Sequence, residues 1–230
     1  MKNSYTIIVL GFLVLSFISC NSEIKSEKGG IDIITNVYFN ASKSLNEVKT
    51  FHISKINYSH DTILEIVPNL HFPEANQTVL LIRDSIYYDL GNENIQETIF
   101  SDLLHKQKPK SVFEKKIGAL FSNDEIPNYR NKKKLSDTIL FKKRYKRFEI
   151  NSPWNYTRFY VYPTDTILPY SLYKTAEKDF SGRIERIDSY NKKTDVFVTL
   201  QLFPRKNWDK EIIDLFEFNV FVKNKEHGYK

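Results

Sequence analysis

Apolar and polar residues alternate one by one over much of this chain. The clearest case is Gly182–Tyr190 (GRIERIDSY), a polar turn at Asn191-Lys192-Lys193, and Asp195–Phe203 (DVFVTLQLF). In the second arm Val196, Val198, Leu200 and Leu202 share one face, opposite Phe197, Thr199, Gln201 and Phe203. This is a hairpin pattern. The same period predicts strands at 50–58, 63–67, 79–83, 86–90, 139–150, 157–162, 168–174 and 215–222, so about ten in all, rich in β-branched and aromatic residues.

Three stretches follow a helical period instead. Ile34, Val37, Tyr38, Ala41, Leu45 and Val48 predict an amphipathic N-terminal helix. Ser111 and Glu114 form an S-x-x-E capping box after Pro109, so a helix is expected over 110–121, with Val112, Phe113, Ile117, Leu120 and Phe121 along one side. Residues 96–105 are expected to be helical too. The tetrapeptide DTIL begins at Asp61, Asp137 and Asp165, with DSIY at Asp84. Its spacing is irregular, so no solenoid is implied. Each aspartate is expected to close a turn by bonding the backbone, with a β-branched residue opening the next strand.

The expected fold is α+β and mainly β. A strongly curved antiparallel sheet would carry an N-terminal amphipathic helix and one or two inserted helices. In order and size this resembles the half-barrel of the bacterial lipoprotein-carrier family, and YVYPTDTILPYSLYKT looks like that family's middle region. The resemblance implies a groove between sheet and helices that takes acyl chains or another apolar ligand. A plain sandwich stands beside the half-barrel as an alternative.

The chain has one cysteine, Cys20, at the end of an uncharged run from Thr6 to Ile18. That run is too short to span a bilayer, which takes about 20 residues. It fits the apolar region of a signal peptide, with Lys2 as the positive start and Ser19 as the small residue before cleavage. Phe17-Ile18-Ser19-Cys20 resembles the lipobox of bacterial lipoproteins, although that family prefers Leu and Ala or Ser where Phe17 and Ile18 stand. The resemblance implies cleavage before Cys20, acylation of Cys20 and anchoring to a membrane through acyl chains. An ordinary secretory peptide with an incidental thiol is the other reading. Residues 1–19 would then be the signal peptide, 20–30 (with NSEIKSEKGG) a lipidated cysteine and flexible tether, and 31–230 one β-rich domain. Asn21 favours the outer membrane, facing either the periplasm or the surface.

Composition narrows the chemistry. Only Gly91, Gly118, Gly182 and Gly228 lie beyond residue 30, so no GxGxxG or GxxxxGK[ST] phosphate cradle can be written. A lone cysteine excludes thiolate zinc sites, and His52, His60, His71, His105 and His227 show no HExxH or HxH spacing. There is no G-x-S-x-G elbow and no DxDxDG loop. No cofactor is expected, and a non-enzymatic binding or accessory protein is the first expectation. An envelope hydrolase with dispersed catalytic residues is the alternative.

The net charge is +6, and 14 basic residues stand against 4 acidic ones between Lys106 and Arg147. An envelope protein rarely meets nucleic acid, so none is expected as a partner. Lys132, Lys133, Lys134, Lys142, Lys143, Arg144, Lys146 and Arg147 are either solvated strand faces or a surface that docks on anionic head groups. In WNYTRFYVY (154–162) Phe159 and Val161 alternate with Tyr156, Tyr160 and Tyr162, so one side must be core. The tyrosine side either packs or, if solvated, offers rings to an apolar or sugar ligand.

Overall fold

A computed structural model describes residues 23–70, 77–91 and 98–227. The signal peptide, Cys20, His71 and the side chain of His227 lie outside the described residues. Among those described there are thirteen strands and three α-helices. In chain order they are β1 (Ile24–Lys25), β2 (Lys28–Phe39), β3 (Thr50–Ser59), β4 (Thr62–Pro68), β5 (Gln77–Arg83), β6 (Ile86–Asp89), α1 (Phe100–Lys106), β7 (Lys110–Ser111), β8 (Lys133–Leu140), β9 (Lys143–Asn151), β10 (Asn155–Pro163), β11 (Thr166–Ile167), α2 (Lys174–Asp179), β12 (Gly182–Asn191), β13 (Val196–Arg205) and α3 (Lys210–His227).

Eleven strands form one open antiparallel sheet in the order β7-β6-β5-β4-β3-β2-β13-β12-β10-β9-β8. Directly opposed residues share a face. Ile31, Ile33, Ile56, Ile82, Leu202, Ile184 and Phe148 therefore mark a first face, and Leu64, Ile66, Val79 and Leu81 a second. The first face is covered by chain that is mostly not regular. Val112, Ala119 and Phe121 pack on it, followed by Ile126 and Tyr129, then Leu168, Tyr170 and Leu172, and α2 through Ala176 and Phe180. On the second face, α1 and α3 cover only the β4–β6 end, through Leu103, Ile212, Leu215 and Phe216.

α3 is fixed at its start by an ionic lattice. Asp209 N–H donates to Asn57 Oδ1 at 2.7 Å, and Arg205 bridges Asp209 (2.7 Å) and Asp32 (2.9 Å). Ile212, Leu215, Phe216 and Asn219 then follow the i, i+3, i+4, i+7 spacing of one helix side. Asn219 accepts from Phe100 N–H at 2.7 Å, which docks α1.

Several expectations are corrected. Ile34–Phe39 is strand, not helix: β2 lies mid-sheet between β3 and β13. Both of its faces carry apolar residues, which blurs period two into an apparent helical spacing. Residues 40–48, the rest of that expected helix, form turns and bends. Residues 24–25 and 28–30, expected to be tether, are in β1 and β2. The expected 110–121 helix is β7, one 3₁₀ turn at Val112–Glu114 and irregular chain. Ser111 does cap that turn, accepting from Phe113 N–H at 3.3 Å. The strand expected at 215–222 is inside α3, and 168–173 is loop between the two-residue β11 and α2, which Lys174 begins. The 139–150 strand is two strands reversing at Phe141-Lys142, both at positive φ. Asp61, Asp84 and Asp165 do precede strands, whereas Asp137 lies inside β8 and accepts from Arg144 at 2.9 Å.

Candidate functional site

The hairpin alternation read from 182–203 places an apolar patch on the first face. Phe159 lies opposite Ile187, Ile187 opposite Leu200, Thr157 opposite Ile150, and Val198 opposite Ser189. Four strands, β9, β10, β12 and β13, thus present Ile150, Phe159, Ile187, Val198 and Leu200 side by side. Ile126-Pro127-Asn128 and Tyr173 close over them from the irregular layer, leaving a cleft of about 410 Å³. That volume is in the range of small-molecule sites.

Aromatic rings pack against one another along the cleft wall. Phe148 stacks between Phe159 (4.5 Å) and Phe180 (4.6 Å), and Tyr173 meets Phe159 edge-on at 6.1 Å. Asn128 adopts left-handed backbone (φ 59°), which turns the strap after Pro127. Neutral polar groups complete the lining. Ser152, Asn155 and Asn191 mark the strand ends, and the Thr157 and Ser189 hydroxyls bond each other at 2.9 Å. Among the described residues no carboxylate, histidine, lysine or arginine lines this cleft. Its one titratable group is Tyr173, whose hydroxyl is pushed above the ordinary tyrosine range by burial and then by the Asp124 charge. Such a lining can hold an apolar chain and bond a small polar end, but offers no base.

A second cavity of about 640 Å³ lies beside β1 and β11 and is charged: Asp165, Lys174, Glu177, Lys178 and Arg183 line it. Glu177 accepts from Ser171 Oγ at 2.5 Å and Ile184 N–H at 3.1 Å, yet burial keeps its carboxyl above the usual range. Among the described residues no histidine lines it. His52 and His105 are exposed, and His60 stands at the Ser59–Asp61 turn with positive φ. No three His, Cys, Asp or Glu side chains gather as a metal site among the described residues.

Between the sheet and the 112–121 segment lies an ionic centre that no sequence motif announces. Lys115 Nζ and Ala119 N–H donate to Glu65, and Ser54 Oγ does so at 2.6 Å. Its one sequence signal is a glutamate inside the apolar strand TILEIVP.

The eight basic residues do not form one patch. Lys132 precedes β8 and Lys133 and Lys134 begin it, whereas Lys142, Lys143 and Arg144 lie at the opposite end of the hairpin. Most have intramolecular partners: Lys132 with Asp179 (3.6 Å), Lys143 with Glu185 (3.2 Å), Arg144 with Asp137, Lys146 with Phe180 O (2.7 Å) and Arg147 with Ser136 O (2.8 Å). The tyrosines of 156–162 line the second face. Tyr160 is buried there and Tyr156 and Tyr162 half-buried, under Arg186, Arg158 and Lys143. Phe159 and Val161 point into the core, as the alternation predicts. No described helix is long and apolar enough to cross a membrane.

No protein-family model and no curated protein matches this chain. Solved structures similar to it include an uncharacterized conserved protein from Thermus thermophilus (7% identity, 88% of this chain and 90% of that one, TM-score 0.38). Another is a DUF1329 family protein from Desulfovibrio piger (8% identity, 79% and 86%, TM-score 0.21). A third is a putative outer membrane lipoprotein-sorting protein domain from Vibrio parahaemolyticus (9% identity, 80% and 88%, TM-score 0.23). With scores this low, the functional reading rests on this chain's own residues.

Proposed function

We propose that this is a lipid-anchored envelope protein without enzymatic activity, which holds an acyl chain or similar amphipathic ligand in the first-face cleft. The observation that carries this is the cleft lining: apolar side chains from four strands facing open space, with neutral hydroxyl and amide groups as its polar members. Each methylene moved from water into such a lining contributes about 0.8 kcal/mol. A chain of several methylenes is therefore held without any ionic partner. Curvature of the sheet, as in a half-barrel, would deepen the cleft. The approach of Phe141 to Phe203 (6.5 Å between rings), from the β8–β9 turn to β13, supports such rolling.

The anchor is Cys20. Signal-peptide removal at 1–19 and acylation follow from the lipobox resemblance, and the outer membrane is the favoured destination. In this reading, the acyl chains on Cys20 and the ligand in the cleft are separate lipids. Growth with alkyne-palmitate tests the anchor: wild-type chain should incorporate the label and Cys20→Ser should not. Organic extraction of purified wild-type protein tests the ligand and should yield an unlinked lipid. Equal labelling of Cys20→Ser would refute the anchor, and repeated extraction with no unlinked lipid would refute the carrier role.

A further inference from the structure

The registers put one end of the sheet next to the anchor. The turns Ser59–Thr62, Arg83–Ile86 and Leu140–Lys143 all close at that end, as do the pairs Pro163↔Gly182 and Arg205↔Gly30. β1 arrives there, pairing Ile24 with Thr166 and Lys25 with Ile167. The far end carries the turns after Val37, Asn151 and Asn191.

Cys20 is four residues from Ile24. A fully extended chain covers roughly 3.3–3.6 Å per residue, so Ile24 lies within about 14 Å of the acylated position. The domain cannot stand off the bilayer on a long tether. The end of the sheet that holds β1 must face the lipid.

That end exposes apolar side chains. Ile139 is 72% and Phe141 64% exposed at the tip of the β8–β9 hairpin, and Ile24 and Ile167 are exposed beside the anchor. Phe141 meets Phe203 edge-on at one side, and the rest of the tip, with Lys142 between it and β9, is apolar surface exposed to water. The tip and the anchor strand are joined by a continuous set of bonds. Ile24 pairs with Thr166, whose carbonyl accepts from Arg183 (3.4 Å); Arg183 bonds Glu185 (2.8 Å); Glu185 accepts from Lys143, two residues after Phe141. The hairpin is thus held at a fixed place relative to the chain that leads to Cys20.

We infer that the β8–β9 tip, Ile139 and Phe141 with the neighbouring Lys142, seats in the phospholipid surface that receives the Cys20 acyl chains. The inference rests on the lipid anchor proposed above. The apolar side chains enter the acyl boundary while Lys142 remains at the phosphate level, where a cation is favoured. Two contacts, one covalent and one by insertion, fix the domain's orientation on the membrane, so the end of the first-face cleft marked by Ser152, Asn155 and Asn191 is turned away from it.

The test uses full-length lipidated protein reconstituted in vesicles of phosphatidylethanolamine and phosphatidylglycerol. Phe141→Cys and, independently, Ile139→Cys carry an environment-sensitive fluorophore, with Lys193→Cys at the far end as the comparison. Labels at 141 and 139 should shift to the blue on reconstitution and lose emission to a nitroxide lipid, while the label at 193 keeps its aqueous emission. If the intact chain floats with vesicles and carries acyl mass, yet both tip labels stay in water, the seating is wrong and the anchor survives. A chain with no acyl mass and no flotation overturns the anchor and the seating together. A blue shift that needs no vesicles and grows with protein concentration makes the tip a contact between copies, which also overturns the inference.

Discussion

Lys115 Nζ donates to Glu65 Oε2 with both side chains wholly enclosed between the sheet and the segment crossing its first face. Glu65 also takes Ser54 Oγ and Ala119 N–H, so the carboxylate has three donors, one from β3 and two from the crossing segment. Burial pushes the Lys115 ammonium below the usual lysine range, and the Glu65 charge opposes that. An enclosed pair of this kind gains little over an apolar substitute, but loses much when only one member is removed. It makes the placement of residues 112–121 specific, because Lys115 shifted out of register would be buried without its carboxylate.

Removing Lys115 alone should therefore be costly. Lys115→Met is expected to lower unfolding stability by about 3–5 kcal/mol, the range for an uncompensated buried charge. Glu65→Gln combined with Lys115→Met should lose less than the sum of the two single changes. Urea unfolding of the four proteins checks this. Additive losses would show that the two groups do not act as a pair.

Gly118 sits at φ +70° directly over that carboxylate, and a Cβ there would collide with Glu65 Oε1 and with Val67. The left-handed backbone alone costs a residue with Cβ about 1–2 kcal/mol. Gly118→Ala should exceed that figure, because the carboxylate must also move. Unfolding curves of Gly118→Ala against Gly91→Ala, at φ +66° with open space around it, separate strain from collision. Equal losses in the two would contradict the packing described.

Tyr170 is buried beside the same centre and donates to Leu120 O at 3.0 Å. Burial, then the charges of Glu65 and Glu177, hold its hydroxyl well above the ordinary tyrosine range. Burial and the hydrogen bond to Glu185 do the same for Tyr145. Above the unfolded value near 10, the unfolded chain gives up these protons and the folded chain keeps them. The folded state then binds more protons, so stability is intact below pH 10 and falls as pH rises, by up to about 1.4 kcal/mol per unit for each such group. Tyr170→Phe should flatten that fall. Urea midpoints from pH 8 to 11 for both proteins check it, and identical slopes would contradict the assignment.

In 182–203 the alternation found the hairpin and grouped Val196, Val198, Leu200 and Leu202 on one face, the face the cleft uses. Val198 and Leu200 were legible as sharing a face, though nothing in the sequence says which face is core or that Ile126-Pro127-Asn128 leaves space over them. The pattern misled where both faces are covered. β2 has apolar residues on each side, and its run of Ile31, Ile33, Ile34, Thr35 and Val37 is the β-branched signal that outweighs the helical spacing. α3 was hidden because the window 215–222 left out Ile212, which begins the helical stripe, and Asp209, which precedes it. The layer over the first face was least legible. Lys115 turns inward to a carboxylate 50 residues away, and its extended backbone ends the helical turn that the capping box starts.

The central claim is that the first-face cleft binds an acyl chain. Equilibrium dialysis of delipidated full-length protein against tritiated palmitate, with Leu200→Trp and Val198→Trp beside wild type, tests it most directly. Wild type should bind saturably, and an indole in the cleft should weaken binding at least about tenfold, equivalent to 1.4 kcal/mol, with the fold intact by circular dichroism. No saturable binding by wild type, or wild-type affinity in both tryptophan variants, would contradict the claim.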